Sequence, residues 1–312
     1  MNHVEYLIRI LASVDSRLFM TRNEYIAELA ALVPFFLSKK EITNEHGYND
    51  LAHQDFMKVA GTTAIPVTDD YASLDIAKNT LAYYRIRGMI TSDSSWRAST
   101  KQLEKDVLAA DNNDNISGHF MHISSGGGEA WYLDQLASSI WNLNKPVHAL
   151  IEKVGGSAAY YIASQASHVS ATTPYDLVGC IGTMVSIVDM EPMFKKWGVN
   201  FIQEYAKQSD LKNKKYEDLI DGKPEQFITE ELDPLRDQFV ADVKIKRSVI
   251  ASLPEDHPVL RGETYYAGKA LADNNGLIDA IEPLNAALER AHAAATAWNA
   301  ENEKRRKALR YI

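Results

Sequence analysis

Residues 146–164 read PVHALIEKVGGSAAYYIAS, and this stretch decides the fold. Pro146 to Glu152 is a short, mainly apolar run opened by a proline, the pattern of a buried strand. Gly155 and Gly156 interrupt it, and Ser157 to Ser164 resumes as a helix of small and bulky apolar residues. The same order appears on either side. Gly118 to Ile123 (GHFMHI) predicts a strand, a glycine turn follows, and Glu129 to Leu143 predicts a helix. Further out, Thr80 to Ile90 (TLAYYRIRGMI) is rich in aromatic and β-branched residues and predicts a strand. It leads to a helix at Ser99 to Ala110 and a polar turn at Asp111 to Ser117, and His168 to Ala171 adds a short strand. Strands alternating with helices predict an α/β domain with a mainly parallel sheet. In such sheets, sites form at the carboxyl ends of the strands.

The flanks read differently. Residues 1–60 show helical spacing at Tyr6, Leu7, Ile10 and Leu11, and again at Tyr25, Ile26, Leu29 and Leu32. Gly61 to Asp75 (GTTAIPVTDDYASLD) reads as a turn-rich linker. Phe227 to Leu253 predicts one long amphipathic helix with Leu232, Leu235, Phe239 and Val243 on its inner face. Ala267 to Ile281 predicts a helix closed by a glycine, then a short strand. Pro283 to Tyr311 is alanine-rich, then charged, as in a solvated terminal helix. The expected division is a helical extension and linker over 1–75, a main domain over 76–285, and a C-terminal helix over 286–312.

Composition narrows the function classes. The 312 residues are 46% hydrophobic and 24% charged, which is the balance of a globular protein and not of a disordered one. A net charge of −9 argues against nucleic acid as the main partner, since binding a polyanion needs clustered Lys and Arg. Cys180 is the only cysteine, so no internal disulfide forms and a reducing compartment is expected. The first residues, with charges at Glu5, Arg9 and Asp15, lack the apolar core of a signal peptide. No window offers the roughly 18 uncharged apolar residues of a spanning helix, so no membrane anchor is expected, and a cytoplasmic protein is.

Two glycine stretches carry the chemistry. Ile123-Ser124-Ser125-Gly126-Gly127-Gly128-Glu129 follows one strand. Consecutive glycines admit positive φ and let a ligand reach main-chain N–H groups, which can hold an oxyanion. Alone, this is equally a flexible turn. The second stretch places Ser157 between small residues at a helix start, where the dipole favours developing negative charge. Alone, Ser157 is equally an N-cap. Together, one loop can supply a nucleophile and the other an oxyanion donor, as acyl transfer requires.

These segments resemble the signal peptide peptidase A family of serine peptidases. SSGGGEAW is similar to that family's Asn-Ser-Pro-Gly-Gly loop, with Ser125 in place of the proline. GGSAAYYIAS is similar to its Ala-Ser-Gly-Gly-Tyr-Tyr-Ile-Ala nucleophile motif, with small residues kept throughout. PYDLVGCIGTM resembles its Gly-Ser-Ile-Gly segment, and RGETYYAGKALADNNGLIDAI its closing Gly-Leu-Ile-Asp motif. The resemblance spans about residues 80 to 285. It implies the fold shared by the Clp protease and the crotonases, with Ser157 as nucleophile. It implies an oxyanion hole at the N–H groups of Gly127 and Ala158, a substrate path along Gly126 and Gly128, and no metal or cofactor. His168 reads as a strand residue and not as a base. The family uses a lysine downstream of the serine, and the Lys212–Asn213 pair, with Lys212 55 residues after Ser157, fits that place. Lys207 and Lys214 compete with it.

Family members include the prohead proteases of tailed phages, which degrade scaffold or trim capsid protein. A single-repeat chain without an anchor fits them, acting on polypeptide in the host cytoplasm or inside the prohead. The alternatives are a stand-alone cytoplasmic peptidase or a crotonase-like acyl-CoA enzyme, which would use a carboxylate base. A homo-oligomer is expected from the family's assemblies, from the apolar stripes of the N-terminal helices, and from Tyr160, Tyr161 and Ile162 as a bulky run suited to a buried contact.

Overall fold

The computed structural model describes residues 56–60, 63–67, 78–93, 98–187 and 189–309. The helical stretch expected within residues 1–55 lies outside them. The described strands are β1 (Phe56–Ala60), β2 (Thr63–Val67), β3 (Thr80–Thr91), β4 (Ala98–Ser99), β5 (Ile116–Gly128), β6 (Val147–Gly156), β7 (His168–Ala171), β8 (Leu177–Gly179), β9 (Thr264–Tyr266) and β10 (Ala280–Ile281). The helices that position the site are α1 (Thr100–Asp111), α2 (Leu133–Trp141), α3 (Ala158–Ser164), α4 (Glu191–Lys196), α5 (Lys214–Ile220), α6 (Asp233–Lys246), α7 (Ala267–Ala272) and α8 (Leu284–Leu309).

They form one ten-stranded sheet, ordered β10-β7-β6-β5-β3-β1-β2, with β4 beside β3 and the β8–β9 pair beside β6. Pairing is parallel from β10 through to β3. It turns antiparallel at β1 and β2. The predicted α/β class is therefore the observed one. The sheet, however, begins at Phe56, inside the segment read as extension and linker. Thr63–Val67 is the outermost strand on that side, the place where Pro66 costs no ladder bond.

Alternation along the strands explains the layers. In β3, Ala82, Tyr84 and Ile86 face one side of the sheet, where the helices α1, α2, α3 and α6 pack through Leu103, Leu136, Tyr160 and Phe239. Leu81 and Tyr83 face the other side, with Phe120 and Leu150, against Ala287, Ala291 and Ala295 of α8. Those alanines recur every fourth residue, so α8 presents a flat stripe that lies close on the sheet. The C-terminal helix is thus a packed layer over this stretch, contrary to the solvated helix expected.

The long helix expected over 227–253 is also interrupted. A π turn at Ile228–Leu232 precedes α6, and Arg247 breaks the run with φ −107° and ψ 84°. The cause is long-range. The buried Arg247 guanidinium donates to Gly276 O (2.7 and 2.9 Å) and to both oxygens of Asp279 (2.8 Å each). Asp279 also accepts from Val169 N at 2.8 Å, which ties α6, β7 and the chain before β10 together.

Burial raises the Asp279 carboxyl, but the Arg247 bonds outweigh it and hold it below its ordinary value. Its stabilisation is therefore present above the unfolded carboxylate pKa and is lost as pH falls through the lower folded one. Asp279→Ala is expected to cost about 2–3 kcal/mol at neutral pH. That is below the figure for a fully buried pair, because Asp279 is about one-third exposed. Denaturant unfolding of both proteins between neutral pH and pH 3 checks this, and the gap should narrow at the acid end.

Candidate active site

The two glycine stretches lie side by side. β5 and β6 are parallel neighbours, and Ser125 pairs with Gly155 near their carboxyl ends. Both strands are irregular here. Ser125 and Gly126 are inserted opposite Gly88, and Glu152–Val154 face the single Ser124. Such bulges re-aim the backbone at the rim of a sheet. Two glycines are obligatory for space. A Cβ on Gly128 would lie 1.9 Å from Ile90 O, and one on Gly155 would lie 2.7 Å from Ile151 Cδ1. Glu129 is buried, and its carboxylate accepts from Ser92 N at 2.7 Å, which closes the first loop.

Ser125 organises that loop. Its hydroxyl donates to Gly88 O at 2.5 Å and accepts from Gly127 N at 3.1 Å. The Gly127 N–H, expected to be an oxyanion donor, is thus engaged by Ser125. Gly126 O lies 3.4 Å from where a Cβ of Gly156 would stand, so the two loops touch through their backbones.

Ser157 sits between β6 and α3 with φ 57° and ψ −121°. A serine in this region is strained by about 1–3 kcal/mol. Its backbone is fixed by Ser157 N donating to Gly179 O and by Tyr161 N donating to Ser157 O, both at 2.8 Å. Its hydroxyl is buried and finds no hydrogen bond of ordinary geometry among the described residues. It does not cap α3, so the N-cap alternative raised by the sequence does not describe its side chain. Ala158, the first residue of α3, is fully buried beside it. Cys180 also takes a positive φ, 58°. Burial pushes its thiol up, and the hydroxyls of Thr264 and Ser157 beside it pull it part of the way back.

The three candidate lysines stand elsewhere. Lys207 and Lys212 are exposed. Lys212 precedes Asn213, whose φ of 61° starts α5. Lys214 pairs with Asp218 at 2.7 Å, and Lys215 pairs with Glu231. No amine stands within hydrogen-bond distance of Ser157 Oγ among the described residues, so none of these lysines reaches it in this arrangement. The segment that carries them is open. No residue of α4 is buried, and Trp197 is 66%, Ile202 88% and Leu211 75% exposed. His168 lies in β7, near Glu282 at 3.4 Å, as a strand residue.

Tyr160, Tyr161 and Ile162 are buried within the chain itself, which corrects their reading as a subunit contact. Tyr160 donates to Leu277 O at 2.9 Å, and Tyr161 stacks on Phe239 at 4.4 Å. The sequence reading also missed a cavity beyond the first loop, walled by Trp131, Tyr132, Tyr161 and Phe239. The signal was there in two adjacent aromatics at a polar helix start.

Residues 141–297, just over half of the chain, match the family model described as peptidase family S49. No curated protein matches the chain significantly. Among solved structures, a membrane-bound stomatin-specific protease in complex with a substrate peptide is similar at 14% identity, with 70% of this chain and 81% of that one covered and a TM-score of 0.42. An enoyl-CoA hydratase/isomerase family protein from Silicibacter pomeroyi is similar at 16% identity, with coverage of 71% and 81% and a TM-score of 0.41. An enoyl-CoA hydratase from Polaromonas sp. JS666 is also similar at 16%, with coverage of 70% and 74% and a TM-score of 0.40.

Proposed function

The chain belongs to peptidase family S49, a family of serine peptidases, and on that premise we propose that it is an endopeptidase with Ser157 as nucleophile and Lys212 as general base. The observation that carries the reading is the Ser157 hydroxyl, buried, without a hydrogen bond of ordinary geometry and held at positive φ where a parallel strand meets a helix. A strained strand-to-helix turn is the usual way to expose a nucleophilic serine.

Ser157 Oγ attacks the scissile carbonyl carbon while its proton passes to the Lys212 amine. The negative charge on the carbonyl oxygen is met by the N–H groups of Gly127 and Ala158, for which Gly127 exchanges its bond to Ser125. Gly126, which is half-buried, leaves the backbone open to the extended substrate, and Gly128, packed against Ile90, holds the loop that presents it. The C–N bond then breaks, and the lysine proton leaves on the new amine. Water, deprotonated by the same lysine, releases the acyl group from Ser157.

A lysine accepts a proton only when neutral, and burial favours that form. Lys212 is exposed, and the segment 197–212 that carries it also exposes Trp197, Ile202 and Leu211, apolar surface of the kind a second copy of the chain covers. The proposed working form is therefore a homo-oligomer whose assembly encloses the base. The proposed peptidase unit is the domain first read as 76–285, together with the β1–β2 hairpin, followed by the C-terminal helix. The proposed role is that of a prohead protease acting on scaffold or capsid polypeptide. It rests on the motif resemblance and fits the observation that no described helix is long and apolar enough to cross a membrane.

A fluorophosphonate probe tests the chemistry. Covalent labelling of the peptide that contains Ser157, absent from Ser157→Ala protein, is expected. Peptide hydrolysis without labelling at Ser157 would sink the assignment, and acyl-CoA binding without labelling would favour a crotonase-like enzyme.

A further inference from the structure

The cavity beyond the first glycine loop has a polarity of its own. Its volume is about 240 Å³, room for one long side chain and less than a drug-sized ligand occupies. It opens where the machinery converges. Trp131 and Tyr132 follow the glycine loop, Tyr161 stands one helical turn after Ser157, and Phe239 comes from α6. Trp131 and Tyr132 are 38% and 43% exposed, so their rings form the mouth. The apolar walls alone would suit any bulky side chain. The polar groups narrow the choice.

The donors of the inner lining are already committed. Tyr161 OH donates to Asp242, Gln238 Nε2 donates to both Asp242 oxygens at 2.9 Å, and Thr183 Oγ1 donates to Leu232 O at 2.9 Å. Beside the Trp131 and Tyr132 rings at the mouth, the lining offers two acceptors, the exposed Asp134 carboxylate and the Gln238 carbonyl oxygen. Among the described residues, no Lys, Arg or His lines the cavity. One aromatic at the mouth already holds a cation, since Lys101 Nζ, bonded to Asp93 at 3.1 Å, lies 4.5 Å from the Tyr132 ring centroid. Aromatic faces and a carboxylate around an apolar shaft match a side chain with a methylene stem and a cationic end.

We propose that this cavity is a specificity subsite for a lysine or arginine side chain of the polypeptide substrate, with the aromatic walls taking the stem and Asp134 the charge. The inference rests on the peptidase reading for its substrate, but its readout is separable. Wild-type protein is given a mixture of random-sequence peptides, and the fragments are read by mass spectrometry. Lys and Arg should be enriched at one fixed distance from the cut bond. In a peptide pair differing only there, lysine should exceed norleucine by about tenfold in kcat/KM. Asp134→Asn should remove most of that ratio while leaving the norleucine peptide within about twofold, so that a general loss of fold or catalysis is distinguished. Norleucine cut as well as lysine, or Asp134→Asn slowing both peptides alike, overturns the subsite and leaves the peptidase standing. If no peptide is cut, calorimetry on Ser157→Ala protein decides. Lysine-peptide binding about tenfold tighter than norleucine, lost on adding Asp134→Asn, sustains the subsite while the peptidase reading falls. Equal binding overturns it.

Discussion

Ser157→Ala protein is expected to lose peptide hydrolysis by about 10⁴-fold or more, while unfolding at about the same temperature as wild type. The first half follows from the proposed mechanism, in which the Ser157 hydroxyl is the attacking group. Ser125, which pairs with Gly155 from the opposite loop, spends its hydroxyl on Gly88 and Gly127. The second half follows from the geometry. Alanine at φ 57° carries the same backbone strain as serine, so nothing is gained or lost there. The buried hydroxyl, however, has only the Cys180 thiol, a weak partner, beside it among the described residues, so removing it costs little. Steady-state hydrolysis of a fluorogenic peptide and a thermal melt of both proteins check the two halves. Residual activity within tenfold of wild type would remove Ser157 from the chemistry.

Lys212→Ala should approach the same loss, since a nucleophile and its base act as one unit. Lys207→Ala should stay within a few-fold of wild type. So should Lys214→Ala, because Lys214 already pairs with Asp218 on the outside of α5. A neutral amine is needed, so kcat/KM in wild type should climb with pH across the range in which the protein stays folded. Because Lys212 is exposed in the single chain, specific activity should also rise with protein concentration until assembly is complete. Rates for the three variants over a pH series and a dilution series decide. If Lys207→Ala or Lys214→Ala were the dead variant, the dyad would survive with a different lysine in it. If all three stayed active, it would not.

The parts of this protein legible in its sequence are those whose cause is local. β5, the first glycine loop and α2, and then β6, Ser157 and α3, follow from apolar runs broken by glycine, and the structure places both loops at neighbouring strand ends. The inner face of the 227–253 segment was legible too, with Phe239 and Val243 buried as its spacing implies. What was not legible depends on partners far along the chain. Nothing near Arg247 announces a break, since the residues that pull it out of the helix are Gly276 and Asp279. The alanine stripe of α8 reads as solvent-neutral until Gly118, whose added Cβ would stand 3.2 Å from Ala295, accounts for its closeness. The edge hairpin was hidden by Pro66, which looks like a breaker unless the strand is known to lie outermost. The choice among the lysines resisted too, because Lys207 and Lys212 lie in an open, exposed segment where local sequence does not distinguish them.

The positive φ of Ser157 bears on how this protein would evolve. Glycine adopts φ 57° freely, and both residues before Ser157 are already glycine. One codon change would extend that run and relax the turn by about 1 kcal/mol, less whatever the unfolded chain gains in freedom. The serine is therefore the less comfortable occupant, and on the proposed mechanism it is cutting, not folding, that keeps it there. A descendant freed from proteolysis, kept only as a shell component or a peptide-binding partner, would meet no folding barrier on the way to glycine at this position. Within a set of relatives, glycine at position 157 would mark the lineages that have retired from catalysis, and it would do so before the surrounding loops had time to decay.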